Sequence, residues 1–89
     1  MQAVNIRAQE ARVNVTWNGH NGDLVDAVPY NAADGDIRDW VTEALRSGAV
    51  VGMRADRGVN LQDFVVDRFP ASRQVPYNRI FVRPKTPFG

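Results

Sequence analysis

The residues of this chain best suited to chemistry lie at its end. Pro84-Lys85-Thr86-Pro87-Phe88-Gly89 carries two prolines and no apolar period. It is therefore expected to be non-helical and to project from the body as a polyproline-like arm. Gly89 has no side chain, so it can enter a narrow enzyme slot and present its carboxylate. Lys85 is the only lysine, against ten arginines. A guanidinium stays protonated at neutral pH and is no amine nucleophile. If copies of this protein are joined through lysine, Lys85 is the only side-chain acceptor. Flexible ends without a chemical role share this composition, so the tail alone leaves both readings open.

Other residue types offer less. Asp34, Asp36 and Asp39 resemble the start of a calcium loop. That loop needs a glycine at its sixth position and a bidentate glutamate at its twelfth; here Asp39 and Leu45 stand there. Helix capping, with Asp34 as the N-cap, explains these acids better. His20 is the only histidine, and there is no cysteine. No zinc set, thiolate nucleophile or disulfide follows from that inventory. Ser47 and Ser72 are not in nucleophile settings, and no phosphate-cradling glycine loop is present. No catalytic residue, metal or cofactor is expected, and the protein is not expected to be an enzyme.

Eighty-nine residues suit one domain with one modest core. The net charge of +1, with both signs interspersed, argues against a field that would hold DNA or an anionic membrane. Weak, salt-labile polyanion binding is the most that the linear sequence suggests, since no aromatic–basic motif is visible along it. No apolar run reaches the length of a membrane span. Met1-Gln2-Ala3-Val4-Asn5 lacks the basic start and apolar core of a signal peptide. A cytoplasmic monomer without nucleic-acid or membrane partners is expected.

Residues 1–11 read as a polar lead-in, 12–83 as the body and 84–89 as the tail. From Arg12, Val13, Val15 and Trp17 alternate with Asn14 and Thr16, the period of a strand with one buried face. Asn18 to Asp23 reads as a hairpin loop, with His20 in it, and Leu24 to Tyr30 as the return strand. Pro29 belongs at that strand's end or on an edge. Ile37, Trp40, Val41, Ala44 and Leu45 fall at helical spacing, which predicts an amphipathic helix over Asp34 to Ser47 ended by Gly48. Trp17 and Trp40 are expected in the core, and Val25 and Ala27 are candidates for a small exposed apolar patch. Ala49 to Met53 reads as a buried strand. Asn60 to Val66 fits either a strand or a loop that plugs the core with Leu61 and Phe64. Phe69 to Pro76 reads as a loop, and Tyr77 to Arg83 as the last strand. The fold class is α+β: a mixed sheet of four to five strands with one helix packed across it.

In this order the chain resembles the ubiquitin-like β-grasp family over roughly residues 12–89. A hairpin precedes a single helix with its Ile37/Val41/Leu45 stripe. Asn60-Leu61-Gln62-Asp63-Phe64 is similar to the stretch before ubiquitin's last strand, and Ile80-Phe81-Val82-Arg83 resembles that strand. The resemblance implies a central parallel pair formed by Val13–Trp17 and Arg79–Arg83. It also implies a modifier of prokaryotic character whose terminal glycine, Gly89, is adenylated by an E1-like enzyme. Pro84, Lys85, Thr86, Pro87 and Phe88 would thread that enzyme's channel. An E2-like enzyme, a JAB-type protease and a protein target complete the implied partners. Two features depart from the family. Phe88 replaces the usual penultimate glycine, and the stretch between the helix and Asn60 is shorter. A non-conjugated β-grasp binding or adaptor domain is the alternative.

Overall fold

The structure, a computed structural model, describes residues 6–85. Strand β1 (Glu10–Trp17) starts two residues before the expected boundary at Arg12. Ala11, Val13 and Val15 are fully buried on one face, while Arg12, Asn14 and Thr16 lie half-buried on the other. The early start has a cause at the far end of the chain. Asn78 is the one buried polar residue in the described body. Its Nδ2 donates to the carbonyls of Ala8 and Glu10, both at 2.9 Å, and its Oδ1 accepts from Ala71 N–H at 2.9 Å. A buried amide satisfied on both sides ties the lead-in and a distant loop to one strand end.

The hairpin is tighter than the sequence suggested. Asn18 (φ 54°) and Gly19 (φ 80°) both adopt left-handed backbone, as a two-residue turn between twisted strands demands. Trp17 therefore pairs directly with His20, and the return strand is β2 (His20–Asp23), not Leu24–Tyr30. His20 is a strand residue, not a loop residue. The chain then leaves the ladder. Leu24 N–H still donates to Val13 O, but Val25 N–H turns to Ala49 O. Strand β3 (Val28–Pro29) rejoins β1 opposite Glu10 and Ala11, with Pro29 exposed at its end.

The run Ala49–Met53 is not a strand. Val50 makes an isolated bridge to Leu24, and Gly52 (φ 80°) turns the chain at once. Val50 is buried, but Val51 is 62% exposed. Its contact with β2 is close. A Cβ on Gly22 would lie 2.4 Å from the Val51 carbonyl oxygen. Because that obstacle is backbone, Gly22→Ala should cost about 1–3 kcal/mol. A thermal melt should show a drop of about 4 °C or more. An unchanged melting temperature would refute the close approach.

Helix α1 (Asp34–Ser47) matches its expected span and buries Ile37, Val41 and Leu45. Gly48 ends it in left-handed backbone (φ 80°) and donates to Ala44 O. At this helix one expectation fails and another, that of a core Trp40 at least partly buried, holds only in part. The N-cap is Ala33, without a side-chain bond. Asp34, as the first helical residue, instead takes an ion pair from Arg68 Nη1 at 2.6 Å. Trp40 is 41% exposed, because the buried stripe is only one residue wide per turn and Trp40 sits at its edge. Asn60 to Phe64 is a loop with Leu61 buried and Phe64 packed against the core. Strand β4 (Val65–Phe69) follows, so Phe69 belongs to the sheet and not to the next loop.

Strand β5 (Asn78–Arg83) completes a sheet of order β2-β1-β5-β4, with β3 on β1 beside β2's edge. The β1–β5 pair is parallel and the others are antiparallel. The helix stripe shares one core with Val13, Val15, Ile80 and Val82. The chain is therefore α+β, a mixed five-stranded sheet with one helix on one face. No helix among the described residues is long and apolar enough to cross a membrane.

Candidate functional site

The tail leaves from the middle of the sheet. β5 lies between β1 and β4, and Val82 stands beside Val15 in parallel register. Two residues on, Pro84 departs at the level of Trp17, where the hairpin turn closes. Pro84 is half-buried and Lys85 is exposed. Thr86, Pro87, Phe88 and Gly89 lie outside the described residues.

Trp17 stands at the same end of the sheet. Trp17 continues the inward face of β1 but reaches its end, where the sheet no longer covers it. Its ring packs on Phe64, with centroids 5.9 Å apart and planes at 40°. Its indole Nε1–H donates to Asp56 Oδ2 at 2.9 Å. A half-buried indole needs such an acceptor. Asp56 Oδ1 in turn accepts from Gly58 N–H at 2.9 Å, which closes the turn after Arg54. The indole bond first, and the Gly58 amide second, hold the Asp56 carboxyl below its ordinary value of 3.8. Beside it opens a cleft of about 390 Å³ lined by Trp17, His20, Met53, Arg54 and Asp56.

The depressed carboxyl has a consequence for stability. A group whose folded pKa lies below its unfolded one stabilises the fold above the unfolded value. That contribution disappears as pH falls through the folded pKa. An acid titration from about pH 5 to pH 2 should therefore shift the Trp17 indole N–H resonance together with the loss of melting temperature. Asp56→Ala should flatten that part of the profile. An unchanged profile in the variant would remove Asp56 as its cause.

A second concavity of about 450 Å³ lies between the excursion after β2 and the helix. Val25 (51% exposed), Ala27, Trp40 and Ala44 line it, with Asp26 and Glu43 at its rim. The expected Val25/Ala27 patch is thus present, enlarged by the helix residue that the sequence had placed in the core.

The remaining candidates do not converge. Asp34 is paired with Arg68, while Asp36 and Asp39 are exposed on the helix. Among the described residues no group of three or more His, Cys, Asp or Glu side chains is placed to hold a metal ion. His20 is exposed on β2. The Trp17–Asp56 pair went unseen in the sequence because 39 residues separate its members, and no periodicity links them. No family model, curated protein or solved structure matches the chain.

Proposed function

We propose that this chain is a protein modifier of the ubiquitin-like β-grasp kind, acted on at Gly89. The observation that carries the reading is the path of β5. It is an inner strand of the sheet, parallel to β1 in the order β2-β1-β5-β4, and it hands the chain into half-buried Pro84 and exposed Lys85. The single helix between hairpin and last strands supports the same reading.

In this reading the protein is a substrate of enzymes and not itself an enzyme. An E1-like enzyme binds Pro84 to Phe88 and presents the Gly89 carboxylate to ATP. Where further residues follow Gly89, a JAB-type protease releases that carboxylate. A carboxylate oxygen attacks the α-phosphorus, the bond to the β-phosphate oxygen breaks, and pyrophosphate leaves. A thiolate, on the E1-like and then an E2-like enzyme, displaces AMP from the acyl carbon. A target amine finally displaces the thiolate. Such chemistry belongs to the cytoplasm, where ATP is available. Phe88 beside the reacting glycine requires an activating enzyme with room for an aromatic ring. Lys85, exposed at the base of the tail, is the side-chain amine available for linkage between copies.

The alternative, a non-conjugated β-grasp binding module, is favoured by one observation, the exposed apolar concavity of Val25 and Trp40. The two readings separate on one experiment: ATP–pyrophosphate exchange by the cognate E1-like enzyme with the full chain and with Gly89 deleted. Exchange that depends on Gly89 supports the modifier. Partner binding that survives the deletion, without exchange by either form, supports the module.

A further inference from the structure

The sheet has a second face, which the helix does not cover. Strand alternation places Glu10, Arg12, Asn14 and Thr16 of β1, Arg79, Phe81 and Arg83 of β5, Val65, Asp67 and Phe69 of β4, and Asp23 of β2 opposite Asn14 on it. No described helix or strand lies over them.

Three features of this face call for a ligand. Arg12 and Arg79 are direct partners in the parallel register, so two like charges stand side by side on one face. Neighbours of the same sign on adjacent strands are destabilising unless something offsets them. Each guanidinium is also laid on aromatic rings. Arg12 lies 5.2 Å from the Tyr77 centroid, and Arg79 lies 5.6 Å from Phe69 and 5.7 Å from Phe81. The Nε of both arginines is buried without a partner, so each charge must be met through its outer nitrogens. Arg12 Nη1 is ion-paired with Asp23 at 3.4 Å, and Arg83 is paired with Asp67. Arg79 makes no ion pair with a described residue. The third feature is apolar: Phe69 is 40% exposed, and its ring packs on Phe81 with centroids 5.4 Å apart.

Adjacent guanidiniums fit an anion, and the flanking rings fit flat apolar groups. A ligand that alternates the two is a chain of nucleotides. Bases stack on aromatic rings and on guanidinium planes, and phosphates take the outer N–H groups. The row from β1 across β5 to β4 spans about 10 Å, two inter-strand spacings. A stacked strand advances about 3.4 Å per phosphate, so the row holds two or three nucleotides. A single phosphorylated side chain would fill only part of it. We propose that this face is a stacking platform for single-stranded nucleic acid, with Arg12 and Arg79 on phosphates and Phe69 and Phe81 under bases. The platform is independent of any chemistry at the tail. It was invisible in the linear sequence, which showed no aromatic–basic motif and therefore suggested no nucleic-acid partner. The fold assembles the motif from three strands.

The test is a titration of the full chain into a fluorescein-labelled oligo-dT of about ten nucleotides, read by anisotropy at low salt. Saturable binding is expected, tighter than about 100 μM. The slope of log K against log salt should be about −1.4, since two phosphates are neutralised on a single strand. Phe81→Leu keeps an apolar side chain on the sheet but removes the ring. It should weaken binding about fivefold or more, in a protein that a cooperative melt shows to be still folded at the assay temperature. Arg79→Gln should weaken binding and make the salt slope shallower. Absence of saturable binding would overturn the proposal. So would binding untouched by Phe81→Leu and displaced equally, charge for charge, by heparin, which marks plain attraction to polyanions. Tighter capture of a phosphotyrosine peptide than of the oligonucleotide would also overturn it, assigning the face to a protein ligand.

Discussion

Leu45→Ala is expected to lower the free energy of unfolding by about 2–5 kcal/mol. Leu45 is 1% exposed and closes the Ile37/Val41/Leu45 stripe over the sheet. Truncation removes its transfer free energy and leaves a cavity that the rigid backbone of β1 and β5 cannot fill by collapse. A domain of this length is held by only about 4–13 kcal/mol in total. Loss on this scale therefore changes the folded population visibly. In urea the slope for so small a protein is about 1 kcal/mol/M, so the midpoint should fall by about 2 M or more at constant slope. Trp40→Ala provides the comparison. The indole is larger than the leucine side chain, yet it is 41% exposed. It keeps more of its hydration in the fold, so its truncation should cost less than that of Leu45. A Leu45 effect below about 0.5 kcal/mol, the range of surface sites, would contradict this placement of the helix.

The same helix shows what periodicity can and cannot tell. Its ends and buried stripe follow from spacing and from Gly48, because an apolar residue every third or fourth position can be hidden only in one way. How wide the buried stripe becomes depends on the partner sheet, and there Trp40 lost its place in the core. The central strands were legible for a similar reason. Val13 and Val15, and Ile80 and Val82, alternate strictly, and one buried face pins their register. The hairpin was misread because Asn18-Gly19 and Asn21-Gly22 look alike in sequence. The first pair turns the chain, with left-handed backbone at both residues. In the second, Gly22 sits in β2, where the Val51 carbonyl leaves no space for a Cβ. That requirement is tertiary and has no local signature. The sites divide in the same way. The proline-rich composition of the tail and its final glycine are local and can be read from the sequence, though they fit both a reactive arm and a plain flexible end. The Trp17–Asp56 rim and the Arg12/Arg79 face exist only once strands far apart in sequence lie side by side.

The largest functional effect is expected at the tip of the tail. If the protein is a modifier, deleting Gly89, or replacing it with a bulky residue, should abolish adenylation by its cognate E1-like enzyme and leave the stability of the body unchanged. The two halves of this expectation have separate physical grounds. Stability resides in the core that joins α1 to β1 and β5, and the described tail residues add little to it: Pro84 is only half-buried and Lys85 is exposed. Adenylation instead demands that a carboxylate oxygen approach the α-phosphorus in line with the departing pyrophosphate. Small displacements of a reacting atom forfeit much of the rate that positioning supplies. Deletion moves the carboxylate back by one residue and puts it on Phe88, whose ring would occupy the approach path. A bulky side chain at position 89 obstructs the same path while keeping the chain length, so the pair of variants separates reach from bulk. Gly89→Ala, with one added methyl, should fall between them and the full chain. The measurement is pyrophosphate exchange for activity and a urea midpoint for stability on each variant. Full exchange by the deletion variant would end the modifier reading and leave the binding module. A fall in the urea midpoint with the loss of Gly89 would count against it in another way, since a tip that stabilises the body cannot at the same time extend into an enzyme's channel.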